Sequence, residues 1–366
     1  MESTGRTDGT DPPLLHNPTI RLHNGVEMPT LQLGTAHIVM PGQPDAEHAH
    51  PRFVGFQPER CYRQADLALT AGMRAFDTAV NYRSDVVLGR VLGEWFRRGK
   101  NDPLQRPDVW ITTKVMNPRP SDFVLKSVRV VDLHTLSPEQ VAEQTQHFVE
   151  MALQNLAVGY VDLLLLHWPS ASGRSQQGTV QLNRKQRLAS WRVLEDAYRK
   201  GWVRAIGVSN YSVAHLEQLQ QDGAEIVPMV NQIEASVTVQ QREIWEYCRS
   251  HHIVPQAYSC LRGLVKNPNQ QQQQQQPSLS SNVTTVLNSL SKKYQKDTGQ
   301  IVYRYLIQLG YAVVYLTNSQ PRMASNTEIW DFALTENEMS ALDLLSRNGD
   351  FDDEFGLGYP KPDDCL

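Results

Sequence analysis

The chain has 366 residues, of which 40% are hydrophobic and 20% charged, a composition typical of a folded globular protein with one large domain or two small ones. Its formal net charge of −4 argues against nucleic acid as a partner, because polyanion-binding surfaces need clustered Lys and Arg. Four scattered cysteines without a C-x-x-C pair, no signal peptide and no long apolar segment predict a soluble cytoplasmic protein with no metal and no membrane partner.

We expect residues 1–18 to be flexible and residues 19–366 to form a single domain. Eight short apolar runs, most ending in a polar residue, recur along the chain: QLGT, RAFDT, VWITTK, VDLLLLH, VRAIGVSN, MVNQIE, VPQAYS and AVVYLT. Segments between them have apolar residues at i, i+3, i+4 and i+7, the spacing of amphipathic helices. Examples are ERCYRQADLALTAG, PEQVAEQTQHFVEMALQNL, ASWRVLEDAYRKG, QQREIWEYCRSHH and residues 285–310.

Buried strands that alternate with amphipathic helices form parallel sheets, and eight such units close into a barrel of ~250 residues plus insertions. The expected fold is therefore α/β, a (β/α)8 TIM barrel. A doubly wound open sheet is the alternative. It is disfavoured because no G-x-G-x-x-G follows an early strand, as the dinucleotide-binding version of that fold requires.

Three stretches interrupt the alternation and are predicted to be loops or insertions: residues 40–56, 117–135 and 266–281. The last contains a run of glutamines at 270–276 followed by Pro277, a low-complexity composition that predicts disorder. His48 and His50 lie in the first stretch. Since no Cys or carboxylate pattern surrounds them, they do not predict a metal site.

Polar residues that end apolar runs are the candidates for chemistry, because TIM-barrel active sites lie at the carboxyl ends of the strands. Asp77, Lys114 and His167 end three of the runs, and Tyr82 follows Asp77 in the next loop. Taken singly, each has an ordinary explanation: a helix cap, a solvated strand end or an exposed aromatic. Taken together, they predict a buried Lys paired with a carboxylate next to a tyrosine.

Such a set suits acid catalysis at a carbonyl group. An ammonium at Lys114, held by Asp77, lowers the pKa of a phenol at Tyr82 from its usual value near ~10 toward the operating range. A neutral imidazole at His167 can then donate a hydrogen bond to the carbonyl oxygen and stabilise the charge that develops there.

At these residues the sequence resembles the aldo-keto reductase superfamily. GMRAFDTAVNY (72–82), VWITTKV (109–115) and VGYVDLLLLHWP (158–169) are similar to the family's Asp/Tyr, Lys and His motifs. LHNGVEMPTLQLGT (22–35) resembles its N-terminal β-hairpin and first strand, and VRAIGVSNYS (203–212) with MVNQIE (229–234) its cofactor-binding strands. The resemblance implies that Asp77, Tyr82, Lys114 and His167 are a catalytic tetrad for reduction of an aldehyde or ketone by NAD(P)H.

The resemblance also implies a cofactor site. Ser209, Asn210 and Gln232 would hydrogen-bond the nicotinamide carboxamide, and Tyr258 would stack on its ring; otherwise the first two are a turn after a strand and Gln232 is a buried, satisfied amide. NADP(H) is expected, with NAD(H) also possible. The remaining expected cofactor contacts are Thr35, Asp77, Ser259, Leu261, Thr317, Asn318, Arg322 and Asn326.

Several positions depart from the family pattern. Leu316 stands where many members have a phosphate-binding Lys, although Arg322 can bind phosphate as a planar fork. Tyr82, His167 and Trp168 are expected to contact the substrate, with Trp168 as one wall of the pocket. Other departures are Ala36, Met116, Cys260 and Arg262, which leave a wider pocket and an altered pyrophosphate clamp. The acidic segment FDDEFGLGYPKPDDCL is expected to line the pocket and to disfavour anionic substrates.

The expected function is thus that of an NADP-dependent reductase of a small-molecule carbonyl substrate, acting as a monomer or weak oligomer. Two alternatives remain open from the sequence. One is a catalytically idle regulatory protein of the same superfamily that binds the cofactor. The other is a barrel hydrolase that uses Asp77 and His167.

Overall fold

The computed structural model describes residues 16–36, 57–98, 104–115, 136–169, 179–261, 264 and 281–345. The expected insertions at 40–56 and 117–135 lie outside these ranges, as do the glutamine run, Met116, Arg262, both candidate histidines and the acidic C-terminal segment. Of the N-terminal stretch expected to be flexible, only residues 16–18 are described.

Eight parallel strands form a closed barrel, which confirms the predicted (β/α)8 fold. Its strands are β3 (Leu31–Gly34), β4 (Ala75–Asp77), β5 (Trp110–Val115), β6 (Val161–Leu166), β7 (Val203–Ser209), β8 (Val230–Glu234), β9 (Val254–Tyr258) and β10 (Ala312–Tyr315). Around the barrel they pair in the order β10-β3-β4-β5-β6-β7-β8-β9. The helices are α1 (Pro58–Thr70), α2 (Asp85–Arg97), α3 (Pro138–Leu156), α4 (Thr179–Arg199), α5 (Val213–Gln221), α6 (Arg242–Ser250), α7 (Ser281–Tyr294), α8 (Thr298–Gln308), α9 (Gln320–Ser325) and α10 (Glu336–Asp343).

The continuous segment of helical spacing at 285–310 forms two helices, α7 and α8. Gln295 takes a left-handed backbone conformation with φ 55°, which ends the first helix. Asp297 then caps the second, since its carboxylate accepts from the Gln300 N–H at 2.9 Å. The break between Tyr294 and Thr298 is too short to interrupt the apolar periodicity, so the periodicity alone does not predict it.

An antiparallel hairpin of β1 (Thr19–Arg21) and β2 (Glu27–Pro29) precedes the barrel, as the resemblance implied. Its turn lies across the amino-terminal ends of β7 and β8, where Asn24 donates to the Arg204 carbonyl at 3.0 Å. Leu22 and Met28, which belong to the hairpin, are buried. The hairpin therefore covers the end of the barrel opposite the strand ends singled out above.

Charged groups at that same end join neighbouring strands. Asp162, at the start of β6, is buried and accepts from Arg106 at 2.7 Å and from Arg204 at 2.8 Å. Its Oδ2 also accepts the Ile111 N–H of β5 at 2.9 Å. Buried charges of this kind need partners, and here the partners hold β5, β6 and β7 together.

At two glycines the neighbouring backbone leaves no space for a Cβ atom. A Cβ at Gly207 in β7 would lie 2.5 Å from the Val230 carbonyl oxygen of β8, and one at Gly89 in α2 would overlap the Leu156 carbonyl of α3. Glycine at these positions permits the close approach of the neighbouring backbone.

None of the described helices is long and apolar enough to cross a membrane. Within the described ranges, no group of three or more His, Cys, Asp and Glu side chains is arranged to bind a metal ion.

Candidate active site

The candidate catalytic residues meet at one rim of the barrel. Parallel pairing of β4, β5 and β6 places their carboxyl ends side by side, with Lys114 in register with Leu165. Asp77 is the last residue of β4, Lys114 is the penultimate residue of β5, and His167 follows β6 directly. Barrel closure thus joins residues far apart in the sequence, as predicted from the strand ends.

Lys114 and Asp77 form a buried ion pair at this rim. The Lys114 Nζ donates to Asp77 Oδ1 at 2.6 Å and to the Thr78 carbonyl at 3.0 Å, and the Lys114 side chain is 0% exposed. Burial lowers the pKa of the Lys114 ammonium, while the charge and hydrogen bond of Asp77 act against that effect. The carboxylate thus keeps a cation at a position that would otherwise favour a neutral amine.

Tyr82 lies next to this pair. It ends a short 3₁₀ turn, Val80–Tyr82, and Lys114 Nζ is 5.1 Å from the centroid of its ring. The His167 ring stands edge-on to it, with centroids 5.6 Å apart and an angle of 81°. Tyr82 is partly exposed, whereas Lys114 is fully buried.

Backbone contacts fix the segment that carries His167 and Trp168. The His167 N–H donates to the Val115 carbonyl at 2.9 Å, and the His167 carbonyl accepts from Asn210 Nδ2 at 2.9 Å. The buried Arg187 of α4 donates through Nε to the Pro169 carbonyl at 2.9 Å. Trp168 is mostly buried, so only part of its surface is available to form a wall of a pocket.

The residues expected to bind a nicotinamide form a hydrogen-bonded cluster on β7, β8 and β9. Ser209 Oγ donates to the Gln232 carbonyl at 2.9 Å, Asn210 Nδ2 donates to Ser209 Oγ at 3.1 Å, and Tyr258 OH donates to Asn210 Oδ1 at 2.7 Å. Asn210 has a left-handed backbone with φ 64°, consistent with a turn after the strand. The cluster is already ordered by its own contacts.

Gln232 links this cluster to the ion pair. Its Nε2 donates to Asp77 Oδ2 at 2.9 Å and to Gln256 Oε1 at 2.8 Å. Both amide hydrogens are therefore used, which leaves the Gln232 Oε1 to accept a hydrogen bond. Asn210 Oδ1 likewise retains a second lone pair. These acceptors fit the NH₂ group of a nicotinamide carboxamide.

Apart from Asp77, the other expected cofactor contacts lie in the segments that follow β3, β9 and β10. Thr35 is fully buried and its hydroxyl bonds the Asp77 carbonyl at 3.1 Å and Ser84 Oγ at 2.9 Å. Ser259 follows β9 with φ 54° and is half-buried, as is Leu261. Cys260 between them is buried, and burial raises the pKa of its thiol.

Loop 316–319, which connects β10 to α9, contains Thr317 and Asn318. Gln64 of α1 donates to the Thr317 carbonyl at 2.8 Å, and Asn318, with its amide oxygen turned toward α1, accepts from Arg60 Nε and Nη2 at 3.0 and 3.2 Å. Leu316 is 53% exposed. Arg322 is exposed on α9 and Asn326 is buried at its end.

Sequence reasoning missed two charged residues here. Arg60 looked like one of several polar residues on an amphipathic helix, and it approaches loop 316–319 only through the packing of α1. Asp85 looked like an acidic residue in the first turn of a helix, yet it is buried near Lys114. No local signal separates either residue from its neighbours.

Comparison with known proteins agrees with this geometry. The model of the Aldo/keto reductase family matches residues 33–347. The chain is 31% identical over 348 residues to the 9,11-endoperoxide prostaglandin H2 reductase of Trypanosoma cruzi (strain CL Brener), with 93% of this chain and 96% of that protein covered. It is 30% identical over 348 residues to the glyoxal reductase of Bacillus subtilis (strain 168), covering 95% of this chain and 97% of the relative.

The fold is similar to that of solved structures as well. A Bombyx mori aldo-keto reductase crystallised with NADP superposes with a TM-score of 0.70 at 25% identity, covering 94% of this chain and 98% of that one.

Proposed function

The chain belongs to the aldo/keto reductase family, and from that premise we propose how its own residues reduce an aldehyde or ketone with NADP(H). In our proposal Tyr82 is the general acid, Lys114 and Asp77 set its charge environment, and His167 orients the carbonyl group. The overall reaction adds a hydride to the carbonyl carbon and a proton to the carbonyl oxygen, and the product is an alcohol.

Tyr82 donates its hydroxyl proton to the carbonyl oxygen. The negative charge left on the phenol is stabilised by the ammonium of Lys114, whose Nζ is 5.1 Å from the ring centroid. Asp77 keeps that ammonium in place through the contact of 2.6 Å. Because the phenol is partly exposed, it regains its proton from solvent before the next turnover.

His167 and Trp168 position the substrate in this proposal. The His167 ring stands edge-on to Tyr82, so a carbonyl oxygen near the phenol is also near the imidazole. A neutral imidazole that donates to the oxygen fixes its direction and stabilises developing charge. Trp168, fixed by the segment that Arg187 holds, supplies an apolar wall.

Bound NADPH supplies the hydride. We propose that Gln232 Oε1 and Asn210 Oδ1 accept from its carboxamide, that Ser209 contributes a hydroxyl, and that Tyr258 stacks on the ring. Support comes from the amide cluster, in which the Gln232 amide hydrogens are already used while Gln232 Oε1 and a second lone pair of Asn210 Oδ1 remain to accept. Thr35, Ser259 and Leu261 remain proposed contacts on the same rim, as do Asp77, Thr317, Asn318, Arg322 and Asn326.

NADPH is the proposed cofactor of choice, with a modest preference over NADH. Arg322 can bind a 2′-phosphate, but Leu316 supplies no charge where many relatives have Lys. We expect a ratio of dissociation constants below ~1000, or about 4 kcal/mol. Quenching of tryptophan fluorescence by each nucleotide measures it, and a larger ratio contradicts the reasoning.

The buried Lys114–Asp77 pair beside Tyr82 is the observation that supports this function most directly. The test is Tyr82→Phe, compared with Tyr198→Phe, a tyrosine whose hydroxyl lies at the opposite end of the barrel beside Asn24. A screen of carbonyl compounds for NADPH oxidation should show that the first change lowers kcat about 10²–10⁴-fold while NADPH binding persists. The control should keep its activity, and equal kcat in both variants refutes the assignment.

The same screen decides between the enzyme and the catalytically idle regulator. Tight NADPH binding without oxidation by any carbonyl compound would favour the regulator. The hydrolase alternative lacks support, because both Asp77 oxygens accept from Lys114 and Gln232 and neither is placed to activate water.

We further propose that the chain is an alcohol:NADP⁺ oxidoreductase whose residues 19–366 form one catalytic domain. In this proposal it works in the cytoplasm as a monomer or weak oligomer. Sedimentation velocity tests the last point, and a single species of dimer mass at nanomolar concentration contradicts it.

A further inference from the structure

A second buried carboxylate lies near the Lys114–Asp77 pair. Asp85 is the first residue of α2 and is 1% exposed. Its Oδ1 accepts from the Thr78 hydroxyl at 2.7 Å, and the Thr78 carbonyl accepts from Lys114 Nζ at 3.0 Å. One residue, Thr78, therefore contacts both the ammonium and the second carboxylate.

Asp85 does not act as an ordinary helix cap. Its bonded oxygen faces the loop after β4, and the Thr113 hydroxyl of β5 also favours the ionised form of this carboxyl. Two neutral hydroxyls compensate a buried, ionised carboxylate only in part. The remaining compensation has to come from a nearby charge.

The groups around Asp85 come from four elements. Lys114 and Thr113 face it from β5, Asp77 and Thr78 from β4 and its following loop, and Cys61 from α1. Ser84, which precedes it, bonds the Thr78 hydroxyl at 2.8 Å. Burial, aided by Asp85, raises the pKa of the Cys61 thiol to about 12, so this thiol is neutral near pH 7.

Lys114 is the cation that attracts Asp85, while Asp77 repels it. Two carboxylates therefore share one ammonium in the interior of the barrel. When both are ionised, part of the positive charge that Lys114 presents to Tyr82 is offset.

We propose that Asp85 is a positioning residue that tunes the acidity of Tyr82 through Lys114, by its negative charge and by its hold on Thr78. The proposal rests on Tyr82 being the general acid. An ionised Asp85 keeps Lys114 protonated and makes the phenol a weaker acid. A neutral Asp85 leaves the ammonium less compensated and the phenol a stronger acid.

The charge of the Asp85 carboxyl changes within the pH range of an enzyme assay. Burial raises the pKa of Asp85 to about 6, against the smaller opposing effects of Thr78 and Lys114. The carboxyl therefore changes charge over a range in which the enzyme can be assayed.

The test compares Asp85→Asn, which is isosteric and neutral, with Asp85→Glu, which keeps the charge. Asp196→Asn is the charge-matched control, because Asp196 lies exposed on α4 beside Arg199. The first readout is the pH profile of kcat for carbonyl reduction. Asp85→Asn should move the alkaline limb to lower pH by about one unit, a tenfold change in proton affinity. Asp85→Glu and the control should leave that limb in place.

The second readout is independent of catalysis. Because the folded-state pKa of about 6 exceeds the ordinary Asp value of 3.8, the fold loses stability as pH rises through this range. Asp85→Asn removes the loss. We therefore compare the unfolding equilibrium constants of the variant and of the unsubstituted protein in denaturant titrations. The constant of the variant divided by that of the unsubstituted protein should fall about 100-fold between pH 4 and pH 8.

An unmoved alkaline limb in Asp85→Asn overturns the proposal, and so does an equal shift in Asp85→Glu. If Asp85→Asn fails to fold, Thr78→Val provides the measurement. That change removes the hydroxyl bond that favours the ionised form, so the titration near pH 6 should move to higher pH, and no movement overturns the proposal. Failure of the Tyr82 assignment is recognised separately, from undiminished kcat in Tyr82→Phe.

Discussion

Replacement of Lys114 by Met tests the ion pair at the centre of the site. The change leaves the Asp77 carboxylate buried, with the Gln232 amide as its remaining side-chain donor. Removing one partner of a buried pair costs about 3–5 kcal/mol, because the other charge is left uncompensated. The two side chains are 0% and 4% exposed, so solvent does not reduce this figure. We expect Lys114→Met to lose stability by that amount at pH 7.

The loss should be repaired by a second change, because Lys114→Met leaves the Asp77 carboxylate as an uncompensated buried charge. In the double variant Asp77→Asn/Lys114→Met no charge remains buried, and stability should return to within about 1.5 kcal/mol of the original. Activity should not return, since the cation beside Tyr82 is still absent.

The assay is a double-mutant cycle of denaturant unfolding at pH 5 and pH 7, followed by tryptophan fluorescence, with NADPH oxidation measured in parallel. A loss below about 1 kcal/mol in Lys114→Met would refute the buried-charge argument. Recovery of turnover in the double variant would show that the pair is structural only.

Three further predictions concern the cofactor, the barrel wall and the glutamine-rich segment. Arg60 contacts Asn318 of loop 316–319, and Arg60→Met should raise the dissociation constant of NADPH about fivefold, or about 1 kcal/mol, and that of NADH less than twofold. Arg63→Met, on the exposed side of α1, should change neither constant, and fluorescence titration measures both. Gly207→Ala should destabilise the fold by more than about 2 kcal/mol, because its Cβ meets a backbone carbonyl of the next strand, whereas Gly93→Ala, which meets only a side chain at 3.4 Å, should be neutral or stabilising in the same unfolding assay. Deletion within residues 267–281 should change the melting temperature little, since each doubling of a flexible loop costs only ~0.6 kcal/mol, and a large fall measured by calorimetry would show that the segment packs.

Much of the fold and part of the site could be predicted from the sequence. The alternation of apolar runs and amphipathic segments predicted the closed parallel barrel, because strands buried on both faces have few other arrangements. The meeting of Asp77, Lys114 and His167 followed from strand-end chemistry once the barrel was assumed. Each of these inferences used only the order of the segments along the chain and the residues at their ends.

Contacts that depend on the packing of distant elements could not be predicted. The bond from Gln232 to Asp77 spans 155 residues, and either side chain alone is an ordinary buried polar group. Asp85 has the sequence context of a helix start, and only the three-dimensional structure shows that it faces Thr78 rather than the helix backbone. The approach of Arg60 to Asn318 depends in the same way on how α1 packs beside loop 316–319.

Because the hairpin covers one end of the barrel, the amino-acid sequences at the two ends are under different constraints during evolution. The hairpin and the Asp162 contacts at one end contribute to stability alone, whereas the strand ends at the other also carry the candidate active site. The described residues that directly follow the barrel strands at that second end belong to connections and not to the barrel wall. Substitutions in these connections can alter which molecules are accepted without touching the hairpin or the Asp162 contacts. For a protein engineer, these connections are where segments from other barrels can be grafted first.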